Sequence, residues 1–299
     1  MLLLITGSAD GTADRLVDRY GDGVFRLNYD LWKEYHLSFT NDSWEIVSPT
    51  GLIINSENVS CAYWWKAFSF FALGDDKYIK AEIKYIFKDI YGWCIQKGLA
   101  KGNAIDFHNR FGKMTIITVA EKYFTVPKTL VTIRNHNLNS LNGKIIVAKS
   151  LSSEQANDGK VLHTTQVDLA KIDPSFPWQL QEKVNSNWDV TIFYCNSHAF
   201  GFKRSREKLE GLDWRAEQDQ QMKEQEWFPF DINDSVSQSL IRLSSDLGVQ
   251  FGRYDFMENT EGELEFLEFN ANGQWVFLDI TDRYGLLDCV VDWLKSARL

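Results

Sequence analysis

The stretch GELEFLEFNANGQW, residues 262–275, decides how this chain is read. Leu264, Phe266, Leu267 and Phe269 make a buried strand, yet Glu268 interrupts the run and Asn270 follows two residues later. Side chains alternate faces along a strand, so Glu268 and Asn270 share one face. The same alternation puts Leu264 and Phe266 on that face and Leu267 and Phe269 on the other. Just upstream, FGRYDFME (251–258) is the other arm of a hairpin, with ENTEG (258–262) as its connection. Arg253 and Asp255 lie on one side of that arm, and pairing brings Asp255 within diagonal reach of Glu268. Asp, Glu and an Asn carbonyl are hard oxygen ligands, the set Mg²⁺ takes when phosphates complete its shell. A half-solvated strand end with incidental polar groups fits the same residues.

Working outward, LLLIT (2–6) reads as a first strand and TADRLVDRYG (12–21) as a short helix. Gly7 and Gly11 do not form GxGxxG, which argues against a Rossmann nucleotide site. Tyr78, Ile79, Ile83, Ile86, Phe87 and Ile90 are spaced for an amphipathic helix between Asp75 and Gly92. A second helix is expected from Lys113 to Tyr123, after which Pro127 forces extended structure. GKIIVAKSL (143–151) and WDVTIFYC (188–195) read as strands, SSEQANDGK (152–160) as a polar loop, and 204–226 as a charge-rich segment. SVSQSLIRLSSDLG (235–248) and LLDCVVDWLKS (286–296) read as helices. Short strands and helices alternate with no long linker, so the expected class is α/β (α+β), two or three small lobes around a cleft.

The chain has 299 residues, 44% hydrophobic, with 11 Trp and 20 Phe, which is apolar material for more than one compact unit. A net charge of -9 argues against a broad nucleic-acid surface. The opening MLLLITGS is too short for a signal sequence or a membrane span, so a soluble cytoplasmic protein is expected. Cys61, Cys94, Cys195 and Cys289 are scattered without CxxC and read as reduced core thiols.

At this point the residues resemble a family. Asp255 followed by Phe266, Leu267, Glu268, Asn270, Gly273, Gln274 and Trp275 resembles the C-terminal core of ATP-grasp ligases. The specific likeness is to the branch that cyclises ribosomal peptides, the microviridin-type or graspetide ligases. Lys113 before a helix, VPKTLVT (126–132), Lys149 in IIVAKS, LQEKV (180–184) and DWR (213–215) occur in the same order.

The resemblance implies an ATP-grasp fold with an N-terminal lobe at 1–100, a central lobe at 101–187 and a C-terminal lobe at 188–299. It assigns Asp255, Glu268 and Asn270 to Mg²⁺ held against ATP. Lys113 and Lys149 are assigned to the phosphates, Gln181, Glu182, Lys183 and Val184 to the adenine pocket, and Arg215 to a phosphate or acyl-phosphate contact. A flexible lysine is a point charge suited to phosphate, and a planar arginine contacts it bidentately. One departure stands out. Where the family reads Glu-Leu-Arg, this chain has Asp189, Val190 and Thr191, and Thr191 carries no charge. Lys203, Arg204, Arg206 and Arg253 are the candidates to supply it.

The implied activity is ATP-dependent activation of Asp or Glu side chains in a ribosomal precursor (leader–core) peptide, followed by ester closure with Ser or Thr or amide closure with Lys. A homodimer is also implied. Competing expectations are a ligase that adds a free amino acid or small amine, and a nucleotide-binding protein without catalysis. The five histidines show no zinc spacing and no GxSxG nucleophile motif occurs. Tyr63, Trp64, Trp65, Phe68, Phe70 and Phe71 are expected to be mostly core, with some as a peptide-binding wall. Lys77, Lys80, Lys84 and Lys88 mark one basic helical face, solvated or turned toward an acidic partner.

Overall fold

LLLIT becomes strand β1 (Leu2–Thr6), buried at every position. It runs parallel to β2 (Val24–Asn28) on one side and β6 (Cys61–Trp64) on the other, and β7 (Ala100–Lys101) completes the sheet in the order β2-β1-β6-β7. A strand in a parallel sheet covered on both faces needs no alternation, which is why its sequence shows none. The structure, a computed structural model, describes residues 1–66, 76–103, 107–152, 163–207, 209, 211–212 and 227–296. The chain divides into two units, Met1–Ile105 with Asn272–Leu299, and Asp106–Ala271.

In the first unit, helix α1 (Gly11–Tyr20) starts where the Asp10 side chain accepts the Ala13 N–H. Helix α2 (Lys77–Gln96) buries Ile83, Phe87, Ile90, Tyr91 and Cys94, an apolar stripe that carries it past Gly92. Strands β3 (His36–Phe39), β4 (Trp44–Val47) and β5 (Ile53–Asn55) form a small antiparallel sheet. Tyr63, Trp64 and Trp65 are core, whereas Phe68, Phe70 and Phe71 lie outside the described residues. Residues 272–296, placed by their position in the chain with the C-terminal lobe, lie in this unit. Arg15 pairs with Asp282 at 2.6 Å, and Lys101 donates to the Ser296 carbonyl at 2.8 Å. Cys61, Cys94 and Cys195 are buried.

The second unit holds two sheets. The smaller has the order β10-β9-β11-β8, from β8 (Thr129–Thr132), β9 (Ile146–Lys149), β10 (Thr165–Val167) and β11 (Trp178–Glu182). Ile146, Ala148 and Leu180 turn toward a core with Leu141 and Ile172. The larger has the order β14-β13-β12-β15-β16, from β12 (Ser186–Cys195), β13 (His198–Ser205), β14 (Phe228–Phe230), β15 (Phe251–Asn259) and β16 (Leu264–Asn270). Helices α3 (Phe107–Arg110), α4 (Lys113–Ala120) and α5 (Asp234–Leu247) belong to this unit, and α6 (Leu286–Lys295) to the first. Ile116, Ile117, Leu240, Leu243 and Leu247 pack with Val190, Ile192, Tyr254, Phe256, Phe266 and Phe269 in one core. No helix among the described residues is long and apolar enough to cross a membrane.

Candidate functional site

The hairpin formed by β15 and β16 answers how a carboxylate and an amide end an apolar strand. Its register sets Asp255 directly opposite Glu268 and Arg253 opposite Asn270, closer than the diagonal contact expected. Between Asp255 and Phe256 the register shifts, so Phe256 faces Phe266 and Leu267 is the extra residue of a β-bulge. The bulge corrects the simple alternation. Phe266 and Phe269, three apart, both enter the core, while Glu268 and Asn270 sit on the opposite face. Gly252 permits this: a Cβ there would lie 2.2 Å from the Phe269 ring.

Asp255 is densely bonded. Its Oδ1 accepts from Thr191 Oγ1 at 2.7 Å and Arg253 Nε at 2.9 Å. Its Oδ2 accepts from Arg253 Nη2 at 2.9 Å and Asn270 Nδ2 at 2.7 Å. Glu268 lies 3.5 Å from the Lys113 ammonium and 3.5 Å from Asn270 Nδ2. Lys113, the first residue of α4, also donates to the Ser150 carbonyl at 2.7 Å, just beyond β9. One ammonium thus links the carboxylate face of the larger sheet to the strand end that carries Lys149.

On the smaller sheet, Lys149 donates to Gln181 Oε1 at 3.3 Å, and Gln181 Nε2 donates to Thr129 Oγ1 at 2.9 Å. Gln179 pairs in register with Lys149 and shares that polar face. It is 4% exposed and its Oε1 has no hydrogen-bond partner among the described residues, a buried acceptor on the face that the resemblance assigns to the nucleotide. The other residues expected at the adenine pocket diverge. Glu182 turns to the opposite face and pairs with Lys144 at 2.6 Å, Lys183 is exposed and Val184 is buried.

The four candidates for the missing charge separate. Lys203 pairs in register with Val190 and therefore shares the core-side face; it sits over the Trp188 ring at 4.6 Å and 3.8 Å from Glu258, away from Asp255. Arg204 and Arg206 both bind the Asp189 carboxylate at 2.5 Å. Asp189 and Thr191 lie on one face of β12, so this cluster stands one alternate position from Asp255 on the site face. Arg253 grips Asp255 itself. Arg215 lies outside the described residues. Asp189, Thr191 and Gln179 share these candidate faces; the sequence reading named Asp189 and Thr191 only as a departure and did not name Gln179. Their common signal is a polar residue at alternate positions of an otherwise apolar strand.

The donor set fits a hard divalent cation that keeps few protein ligands: two facing carboxylates and an amide, with phosphate oxygens needed to complete the shell. No group of three or more His, Cys, Asp or Glu that could hold a metal occurs among the described residues. Asn270 presents its NH₂ to both carboxylates, so its carbonyl would reach a cation only after that amide turns over.

No family model and no curated protein matches the chain. Solved structures do. A RiPP-associated ATP-grasp ligase of Chryseobacterium gregarium, in complex with ADP and a leader and core peptide, aligns at a TM-score of 0.82 and 21% identity, covering 99% of this chain and 97% of that one. The macrocyclase MdnC of Microcystis aeruginosa, bound with precursor peptide MdnA, aligns at 0.79 and 19%, covering 98% and 99%. The macrocyclase MdnB of the same organism aligns at 0.73 and 21%, covering 98% of each. The protein therefore has the α/β fold of these ATP-grasp ligases along nearly its whole length.

Proposed function

We propose that the chain is an ATP-dependent carboxylate ligase that crosslinks a ribosomal precursor peptide in the cytoplasm. The observation that carries the reading is Lys113, whose ammonium reaches both Glu268 and the end of the strand bearing Lys149. Phosphate-type lysines and metal-type carboxylates thereby meet in one place. That the similar ligases were solved with ADP and with leader, core or precursor peptides supports the substrate class.

In this reading the smaller sheet carries the nucleotide, with Gln181 at the base and Lys149 at the phosphates, and the larger sheet carries Asp255, Glu268 and Asn270 for Mg²⁺. Bound Mg²⁺ supplies neutralisation of the phosphate charge. An Asp or Glu side-chain oxygen of the peptide attacks the γ-phosphorus, and ADP leaves. A Ser or Thr hydroxyl, or a Lys amine, then attacks the acyl carbon; phosphate leaves and the nucleophile loses its proton. The chain's residues position and compensate charge, and no enzyme nucleophile is needed. Arg204 and Arg206, oriented by Asp189, supply the cationic character that Thr191 lacks.

The test is ATP turnover with Mg²⁺, with and without a candidate acidic precursor peptide, followed by intact mass of the peptide. Loss of one water mass per bond with ADP formed is the expected result, abolished in Glu268→Gln. A mass gain equal to an amino acid establishes the intermolecular ligase instead. Nucleotide binding without ADP or mass change, across peptides, refutes the ligase.

A further inference from the structure

Lys149 stands at the head of a hydrogen-bond chain that crosses β9, β11 and β8. Its ammonium donates to Gln181 Oε1 at 3.3 Å, Gln181 Nε2 donates to Thr129 Oγ1 at 2.9 Å, and Thr129 Oγ1 donates to the Pro127 carbonyl at 2.9 Å. The chain can run in one direction only. A carbonyl accepts and never donates, so the Thr129 proton is committed to Pro127 and the hydroxyl oxygen must accept from Gln181. An ammonium donates and never accepts, so the Gln181 amide must turn its oxygen to Lys149. Both ends set the same amide orientation. We infer that Thr129 is a positioning residue for nucleotide binding: it fixes the Gln181 amide and, through it, holds the Lys149 ammonium for the phosphates. This rests on the reading above that Lys149 meets the phosphates, and adds to it a residue that acts through its neighbours alone.

The register builds the chain. Gln181 lies opposite Thr129 on one side and Val147 on the other, and Lys149 lies opposite Gln179, two positions along. Alternation therefore puts Thr129, Gln181 and Lys149 on one face, while Leu130, Ile146, Ala148 and Leu180 fill the core on the other. Gln181 is 2% exposed. An amide buried to that degree has little water to replace a lost partner, so turning it over, with NH₂ against the ammonium and oxygen against Thr129, is costly. A lysine stem is long and flexible, and a site that limits its rotamers beforehand loses less on binding. A neutral amide does this without cancelling the charge that a phosphate needs. The carboxylate next in sequence, Glu182, is turned to the opposite face and pairs with Lys144. Both ends of the Gln181 amide are thus committed, and the amide serves the lysine.

The test measures binding of ADP and of adenosine to the full chain by titration calorimetry with Mg²⁺ present. Thr129→Val should weaken ADP about 10-fold, the size of one lost hydrogen bond to a charged group, and leave adenosine unchanged. Thr129→Ser keeps the hydroxyl and should bind ADP as wild type does. In a Lys149→Met background Thr129→Val should cost nothing more, because the group it positions is gone. Gln181→Met carries the same test if Thr129→Val does not fold. Wild-type ADP affinity in Thr129→Val overturns the inference. So does an equal loss for adenosine, which marks a general disturbance of the sheet, a loss that Thr129→Ser shares, or a loss that persists in Lys149→Met. Failure of the nucleotide reading itself looks different: Lys149→Met then binds ADP as wild type does, or wild type binds no ADP.

Discussion

Replacing Asp189 with asparagine tests whether the arginine pair on the site face is held as described. The carboxylate sits between Arg204, whose side chain is 3% exposed, and Arg206, 12% exposed, with both contacts at 2.5 Å. An amide keeps one acceptor and turns an NH₂ toward the second guanidinium, so one buried cation loses its counter-charge and meets a donor. Breaking a buried pair by removing one partner costs about 3–5 kcal/mol, because the charge left behind cannot return to water. For a unit of 150–250 residues each kcal/mol moves the melting midpoint by about 2–4 °C, so the expected fall is about 6–20 °C. Calorimetry of wild type, Asp189→Asn and Arg206→Gln provides the comparison. Arg206→Gln should cost less, since Asp189 keeps the more deeply buried Arg204. A midpoint for Asp189→Asn within a degree or two of wild type would place the cluster among solvated surface pairs and remove the basis for Asp189 as the group that orients both arginines.

Two further predictions concern packing and thiols. Gly252→Ala puts a methyl 2.2 Å and 2.5 Å from atoms of the Phe269 ring, beside Asn270. It should cost about 1–3 kcal/mol as an overpacked site, and Phe269→Leu in the same background should recover part of the lost melting temperature; additive losses would refute the contact. Burial pushes the Cys61 thiol up to about 11 and the Cys94 thiol up to about 12, from an ordinary value of 9.0. Their raised values stabilise the folded chain fully below pH 9, where the unfolded thiols are also protonated. That stabilisation declines from pH 9 through about 11 to 12, as the unfolded chain ionises first. Ellman's reagent at pH 8 should therefore modify Cys289 first and reach Cys61, Cys94 and Cys195 only on unfolding; equal rates for all four would contradict the burial.

What the sequence discloses depends on how local the physics is. Helix α2 is legible from spacing alone, because Ile83, Phe87 and Ile90 recur on one face whatever the rest of the chain does. The carboxylate pair is legible too, because a short turn and alternation suffice to set Asp255 near Glu268. The bulge at Leu267 is not: one extra residue leaves no mark in composition, yet it moves Phe266 from the site face to the core. Residues 272–296 are likewise illegible, since they join the first unit through pairs such as Arg15 with Asp282, far apart in the chain.

The charge candidates show how a single turn decides a site. Asn196 and Ser197 both have positive φ, 46° and 71°, as a two-residue hairpin turn between right-twisted strands requires. With the turn placed there, counting outward pairs Cys195 with His198 and, six steps on, Asp189 with Arg204. The same count puts Lys203 against Val190, on the face that packs the core, so a lysine one residue away from a buried arginine belongs to another surface. WDVTIFYC already carried the complementary half of this: Val190, Ile192 and Tyr194 are apolar at alternate positions, and Asp189 and Thr191 are polar between them. An apolar strand in the middle of a sheet has no solvated edge to excuse such residues. Burying an unpaired carboxylate or hydroxyl costs free energy that only a partner offsets, so each of the two must be matched across the sheet, Asp189 by arginine and Thr191 by Asp255. Asp189 on β12 is thus held by Arg204 on the neighbouring β13 and by Arg206 just past that strand's end.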